Sequence, residues 1–250
     1  MKRKLNRFFV FAALLLSLSC ALAAEGELRV GISPIFPPMV FKQDKQLMGV
    51  EIDLANDLAQ ELGRTVTFVE IPWEDQIESL NAGKIDIIMS SMSITGARKW
   101  VVDFSRPYLY IGQMVLVRRE DVNKYALGFP LRPPGTIGVL KATTGDFMVQ
   151  REFPKTKRTV YKNPTEAVQA LKKKKIDLFL SDSTLVCYLA GTHAAEDLSA
   201  APVQLNEESL AWAVRKGDEK LLNAVNAFIQ KTGASGKLNQ VFQRWMAVPQ

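Results

Sequence analysis

Two stretches of the chain share one pattern of apolar and polar positions. In "LNAGKIDIIMSS" (80–91) and "LKKKKIDLFLSD" (171–182), a helix end leads into Lys-Ile-Asp, three apolar residues, a serine and one further polar residue. A helical segment that feeds a short apolar run is typical of a parallel α/β sheet. The match places Ser91 opposite Asp182 and indicates a duplicated topology, with chance similarity as the alternative.

Helix signals precede each of these stretches. Residues 73–83 have the periodicity of an amphipathic helix that ends near Gly83. Residues 163–173 begin with Asn163 as the N-cap and Pro164 at the first helical position. Each unit is therefore predicted to be a helix followed by a buried strand.

Further segments extend the two units. Residues 27–34 predict a strand that runs through a proline-rich loop into a helix at 50–63, and residues 135–146 predict a strand and a polar loop before a helix. Residues 112–120 are predicted to be an extended connection, and residues 210–246 one strand and two helices. The predicted fold class is α/β, with two lobes that each hold a mainly parallel sheet flanked by helices.

The N-terminus has the three-part pattern of a secretory signal. A basic start is followed by an apolar run and by small residues, and Ala21 and Ala23 form a cleavage site that predicts a signal peptide over residues 1–23. The first alternative to a signal peptide is a membrane anchor, but the apolar run is short for a membrane span. Lipid attachment at Cys20 is the second. The predicted localisation is the periplasm.

Charge and composition exclude several classes of function. Without the signal, the net charge falls from +6 to near +2, so the high pI partly reflects the signal itself. The basic run at 171–176 is predicted to be a solvated helix end rather than a nucleic-acid surface. Cys187 remains alone, which excludes an intrachain disulfide, and it is predicted to be buried. His193 is the single histidine and is predicted to be exposed. A single histidine disfavours both a histidine metal site and a Ser-His-Asp triad.

Polar side chains occur where the predicted strands end. Ser90 and Ser91 follow one strand, Thr143 and Thr144 follow another, and Asp182 ends a third. Ligands of parallel α/β sheets bind outside the carboxyl ends of the strands. Two facing lobes would bring these groups together across a cleft.

The charges near these ends suit a zwitterion. Arg98 is a permanent cation whose forked donors match a carboxylate. Thr95 is predicted to cap a short helix that begins just before Arg98. Asp182 can accept from an ammonium group, so a free α-amino acid fits the set.

Two aromatic residues follow strands at the same edge. Phe36 and Trp73 are placed to clamp a ligand side chain between their rings. The alternatives are structural: Trp73 in the core, Arg98 on the surface of its helix, and Asp182 as the cap of the helix that starts near Ser183.

Five motifs in order carry a resemblance to a known family. The chain resembles the bacterial family 3 extracellular solute-binding proteins, the polar amino-acid receptors of ABC importers, over nearly the whole mature chain. The motifs are "LRVGISPIFPPMVFKQDKQLMGVEIDLANDLAQELG", "KIDIIMSSMSITGARKWVVDFSRPYLY", "IGVLKATTG", "KIDLFLSD" and "LAWAVRKGD".

This resemblance implies a type II periplasmic-binding-protein fold with a ligand cleft between two lobes that close by a hinge motion. Residues 24–110 and 209–250 are then expected to form lobe 1, and residues 111–208 lobe 2, with hinge connections at both ends. The resemblance also implies roles for individual residues. The ligand carboxylate is expected on Arg98, Ser93 and Thr144, the ammonium group on Asp182 and Ser91, and the ligand side chain against Phe36 and Trp73.

The sequence departs from the family at two possible specificity positions. Relatives that bind basic amino acids or glutamine commonly carry an acid where Ser33 stands, which puts a basic ligand in doubt and favours a neutral or acidic one. Met39 stands where an aromatic residue is usual, which changes the expected shape of the pocket.

The predicted function is that of a periplasmic solute-binding protein without enzyme activity. It is expected to act as a monomer, without cofactor, metal or nucleic acid, and to deliver a free amino acid to the permease subunits of an ABC transporter. One alternative is a sensory module. Another is a dehydratase resembling cyclohexadienyl dehydratase, which would need a general acid in the cleft. The candidates for that acid are Glu74, Asp75, Glu207 and Glu208.

Overall fold

The structure is a computed structural model that describes residues 26–125, 127–130, 133 and 135–246. The predictions for residues 1–23, including Cys20, lie outside the described residues. The strands are β1 Glu27–Ile32, β2 Ile35–Phe36, β3 Val40–Gln43, β4 Gln46–Met48, β5 Thr65–Glu70, β6 Ile87–Ile88, β7 Val102–Phe104, β8 Leu109–Ile111, β9 Gln113–Arg118, β10 Thr136–Leu140, β11 Lys157–Tyr161, β12 Leu178–Asp182, β13 Leu198–Ala200, β14 Glu208–Leu210 and β15 Ala213–Arg215. The α-helices are α1 Val50–Glu61, α2 Gln76–Asn81, α3 Gly96–Lys99, α4 Thr144–Glu152, α5 Pro164–Lys172, α6 Ser183–Thr192, α7 Glu219–Ala234 and α8 Lys237–Met246.

Two five-stranded sheets share one wiring. The first has the order β5-β1-β6-β15-β7 and the second the order β11-β10-β12-β9-β13. In each sheet the first three strands are parallel, and the fourth runs antiparallel to both of its neighbours. The two sheets therefore repeat one topology.

The aspartate of the repeated Lys-Ile-Asp motif makes the same two hydrogen bonds to the neighbouring strand in both sheets. Asp86 donates its backbone N–H to the Arg29 carbonyl and accepts from the Arg29 N–H at 2.9 Å. Asp177 makes the same pair of bonds with Thr136, accepting at 2.7 Å. Each aspartate thus fixes the register between its own strand and the first strand of its unit.

The isoleucine of the motif explains a glycine in the neighbouring strand. A Cβ at Gly31 would lie 2.3 Å from Ile85 Cδ1, and a Cβ at Gly138 would lie 2.5 Å from Ile176 Cδ1. A larger residue at either glycine would therefore force the isoleucine side chain to move. The sequence echo is therefore a repeated packing arrangement rather than a chance match.

Two predicted segments differ from the structure. Residues 112–120 were expected to be an extended connection, but β9 is an internal strand of the second sheet, and its Val115, Leu116 and Val117 are fully buried. The tail was expected to hold one strand, yet β14 also ends within it, at Leu210.

The short sheet of β8 and β14 lies where the chain passes between the two large sheets. Its strands pair antiparallel, with Glu208 opposite Ile111 and Leu210 opposite Leu109. The strands of the first large sheet lie within residues 27–104 and 213–215, and those of the second within 113–200. The predicted lobe boundaries stay predictions.

Single-residue predictions had mixed outcomes. Asn163 caps α5 by accepting from the Glu166 N–H at 2.9 Å, as predicted. Cys187 is exposed, so its predicted burial was wrong: α6 packs through Leu185, Val186 and Leu189, and Cys187 lies on another face. His193 is half-buried rather than exposed, with its Nδ1 3.0 Å from a Glu196 carboxylate oxygen.

The described part of residues 26–246 holds neither a candidate membrane span nor a candidate metal cluster. No helix there combines the length and the apolar content needed to cross a bilayer. In the same part of the chain, no group of three His, Cys, Asp or Glu side chains is placed to hold a metal ion.

Candidate functional site

The carboxyl ends of β1 and β6 bring the serines of the first unit together. The Ser33 backbone N–H donates to Ser90 Oγ at 2.8 Å. Ser91 has a left-handed backbone with φ of 59°, which a non-glycine residue keeps only when its surroundings hold it there. The Ser91 hydroxyl is buried and has no hydrogen-bond partner among the described residues.

A buried carboxylate holds this backbone in place. Glu51 is fully buried in α1 and accepts from the Ser91 N–H at 2.8 Å. It also accepts from the Tyr108 hydroxyl at 2.5 Å and from Trp212 Nε1 at 2.8 Å. Burial raises the pKa of Glu51, although these three donors oppose that shift. In the sequence, Glu51 looks like an acid in the first turn of a helix, so its role had no distinguishing signal.

Arg98 lies in α3 at the edge of the same unit. Its backbone N–H donates to Thr95 Oγ1 at 3.2 Å, which confirms the predicted cap. Its Nη1 donates to the Ser93 carbonyl at 2.8 Å. The guanidinium carbon lies 5.2 Å from the ring centroid of Trp73. Among the described residues, Arg98 has no carboxylate within ion-pair distance.

Phe36 and Trp73 lie next to this cation. Their ring centroids are 5.3 Å apart at an interplanar angle of 69°, which is an edge-to-face contact. Both side chains are largely buried. The predicted pair of aromatic residues is therefore adjacent, with the face of Trp73 turned to Arg98.

The second unit contributes a carboxylate at the end of β12. Asp182 is 8% exposed, and one of its oxygens accepts from Gln113 Nε2 at 2.7 Å. Asp182 is the N-cap residue of α6, but its side chain makes no capping hydrogen bond. The structural alternative of a helix cap is therefore wrong. Gln113 Nε2 also lies 3.2 Å from Thr144 Oγ1, so the predicted residues Thr144 and Asp182 meet through it.

The charges of the two units influence one another without contact. Burial and the Glu208 carboxylate raise the pKa of Asp182 to about 7, against the opposite effects of Gln113 and Arg98. Burial lowers the pKa of Arg98, while the carboxylates of Asp182 and Glu208 oppose that change. The arrangement therefore holds a cation and an acid apart, with their charges unsatisfied by each other.

Contacts between the two units close one side of the cleft. Trp73 Nε1 donates to the Ala142 carbonyl at 3.0 Å, and Lys141 Nζ lies 2.8 Å from the Glu74 carboxylate. The Lys141 ammonium lowers the pKa of Glu74, which is the opposite of what a general acid needs at neutral pH. The structure also has a cavity of about 930 Å³ next to Arg98, which is lined by Arg98 and residues 206–209.

The predicted specificity residues are both buried. Met39 is 0% exposed and belongs to the hydrophobic core, where its carbonyl accepts from the Glu51 N–H at 2.8 Å. Ser33 is 3% exposed. Sequence reasoning missed Gln113, because it lies in a segment that looked like a linker.

Comparisons with known proteins agree with this fold. A family model for bacterial extracellular solute-binding proteins, family 3, matches residues 28–248. An L-arginine-binding protein of Pseudomonas aeruginosa is 31% identical over 234 residues, which are 90% of this chain and 90% of that protein.

Two solved structures are similar over most of the chain. An ancestral amino acid-binding protein, described as a precursor of cyclohexadienyl dehydratase, has a TM-score of 0.79 and 34% identity, covering 88% of this chain and 95% of that one. A putative binding component of an ABC transporter from Wolinella succinogenes, complexed with lysine, has a TM-score of 0.82 and 28% identity, covering 89% of this chain and 97% of that one.

The fold and the cleft define a two-lobed solute-binding protein, so the predicted α/β class is confirmed. The chain belongs to the bacterial extracellular solute-binding proteins of family 3.

Proposed function

We propose that this protein captures a free amino acid between its two lobes and delivers it, unchanged, to the permease of an ABC transporter. The observation that carries this proposal is that Arg98 and Asp182 carry opposite charges that influence each other without forming an ion pair. The half-buried Arg98 and the buried Asp182 come from separate units and influence each other's pKa, and among the described residues neither has an ion-pair partner. A zwitterion supplies both partners at once.

We propose roles for the site residues from the family resemblance, and their positions in the structure support these roles. The ligand carboxylate binds the free guanidinium donors of Arg98 near Ser93 and Thr144, and the ammonium group binds Asp182 and the unpartnered Ser91 hydroxyl. The ligand side chain then packs against the two aromatic rings at 36 and 73. These assignments rest on the positions of the residues and on the family resemblance.

Binding stabilises the closed arrangement only as far as the ligand prefers it to the open one. Closure removes water from the ionic contacts and strengthens them, while the ligand loses hydration. We expect a net affinity in the micromolar range, which is a binding free energy of about 8 kcal/mol.

The proposal also covers where the protein acts and which system it serves. Family members are extracellular solute-binding proteins, and we propose that residues 1–23 direct this chain to the periplasm. We further propose that it acts as a monomer. The names of similar proteins, which include an arginine-binding protein and an ABC transporter component, support an amino-acid ligand and a transport role.

A thermal-shift screen of the mature protein against the standard amino acids tests the proposal. A ligand at 100 times its Kd adds about 2.7 kcal/mol of stability, which is a Tm increase of about 5–10 °C for a chain of this size. An amino acid that raises Tm and is recovered unchanged is the expected result. No shift with any amino acid contradicts the proposal, and formation of an aromatic product from arogenate would support the dehydratase alternative.

A further inference from the structure

Gln113, Thr144, Asp182 and Glu208 form a cluster of polar side chains, which we call the acid cluster. This cluster has fewer hydrogen-bond donors than it needs. Gln113 is fully buried, and its Nε2 lies 3.2 Å from Thr144 Oγ1, 2.7 Å from Asp182 Oδ1 and 3.0 Å from Glu208 Oε1. The two N–H groups of this amide can serve the two carboxyls, but the amide oxygen, Oε1, is buried and has no hydrogen-bond partner among the described residues. The cluster therefore holds a buried acceptor that lacks a donor.

A second observation shows the same deficit at Glu208. Its Oε1 also accepts from Asn206 Nδ2 at 2.9 Å, but its Oε2 is buried and has no hydrogen-bond partner among the described residues. An unsatisfied buried carboxylate oxygen is costly unless something donates to it. Glu208 lines the same cavity as Arg98 and Thr144, so a donor can reach it from the cleft.

We infer that Glu208 is a second anionic anchor of the ligand site, and that it shares the ammonium group of the ligand with Asp182. An ammonium group has three N–H donors and one positive charge, which satisfy both carboxyls together. The inference rests on the proposed function and adds one residue to it, since Glu208 joins Asp182 in holding the ammonium group.

The cluster also predicts that binding releases a proton. In the empty site the two neighbouring carboxyls repel one another, and the raised pKa of Asp182, about 7, reflects its burial and this repulsion. The other charged or titratable groups that act on Asp182 are Arg98, which opposes the shift, and the Tyr108 phenol, whose own pKa lies far above this range. When the ammonium arrives, it favours the ionised acid, and the proton leaves to solvent.

The affinity for the ligand should rise with pH up to about pH 7. Below pH 7 the ligand must displace a proton from the acid pair, so its apparent affinity falls as the pH falls. Above pH 7 the pair is ionised and the affinity levels off. An analogue that keeps the carboxylate but lacks the amine gains nothing from the ionised pair and shows no such rise.

The test is calorimetry at pH 7 with an amino acid found in the thermal-shift screen, in two buffers of different ionisation enthalpy. The wild-type protein should release part of a proton on binding. Glu208→Gln should bind about 10- to 100-fold more weakly, as expected for the loss of a charged hydrogen bond. It should also release a smaller fraction of a proton than the wild type, because Asp182 loses the neighbour that helps keep it protonated but stays buried. The matched control Glu219→Gln removes an exposed charge at the start of α7, outside the cavity lining, and should behave as wild type.

The outcomes separate this inference from the proposed function. A protein that binds no amino acid overturns both. A protein that binds, with Glu208→Gln equal to wild type in affinity and in proton release, overturns the inference alone. If Glu208→Gln does not fold, the wild type decides: equal proton release with the amino acid and with its amine-free analogue contradicts the inference.

Discussion

Removal of the Arg98 side chain should abolish most ligand affinity while leaving the empty protein folded. In the empty protein, Arg98→Ala loses one hydrogen bond to the Ser93 carbonyl and the contact with the Trp73 ring. These are worth about 1 kcal/mol and about 0.5–2 kcal/mol. The substitution also relieves the desolvation that lowers the pKa of Arg98. We expect these effects to cancel to within about 1 kcal/mol, which is a Tm change of about 2–4 °C.

The effect on binding should be much larger. A ligand carboxylate that closes into the cleft without its cation costs about 2–5 kcal/mol, which corresponds to a Kd about 30- to 5000-fold higher. Isothermal titration of the screened amino acid measures this directly. Arg98→Lys, which keeps the charge but not the forked donors, should recover only part of the affinity.

The control substitution comes from the same helix as Arg98. Lys99→Ala removes an exposed positive charge from the next position and should leave the Kd nearly unchanged. Unchanged affinity in Arg98→Ala would remove Arg98 from the site. A fall of Tm by more than about 10 °C in the empty protein would show that Arg98 serves the fold instead.

Three further predictions concern the second charge, the cleft and the sheet. Asp182→Asn should weaken binding in titration calorimetry but leave the Tm of the empty protein nearly unchanged, since the side chain makes no capping bond; a large loss of stability would contradict this. Trp73→Phe keeps the ring but loses the hydrogen bond to the Ala142 carbonyl, so the Kd should rise about 3- to 10-fold, and an unchanged Kd would show that this bond plays no part in closure. For Asp86, burial opposes ionisation, but the Arg29 guanidinium lowers its pKa overall. The ion pair therefore adds stability at neutral pH that is lost as the pH falls below about 4. Asp86→Asn should lower Tm at pH 7 by about 2–4 °C, or about 1 kcal/mol after solvent screening, and its difference from wild type should shrink as the pH falls below about 4.

Local signals in the sequence predicted local structure well. The caps at Thr95 and Asn163 bond to N–H groups three residues ahead, so a short window contains both partners. The repeated Lys-Ile-Asp motif also predicted a repeated topology, because its aspartate and isoleucine make the same contacts in both sheets. Such contacts depend on residue type and on the neighbouring strand, which the motif itself specifies.

Non-local contacts explain what the sequence did not reveal. Gln113 gains its role from Asp182 and Glu208, which lie 69 and 95 residues away along the chain. Glu51 likewise joins residues 91, 108 and 212. Cys187 was wrongly placed because α6 is apolar on more than one face, and only packing against β9 and β12 decides which face is buried.

The most direct test of the central claim is a crystal structure of the protein with its amino acid bound. We expect the ligand carboxylate within hydrogen-bond distance of the Arg98 guanidinium, and its ammonium nitrogen within the same distance of Asp182. A ligand bound elsewhere, or held in the cleft by neither of these groups, would contradict the account.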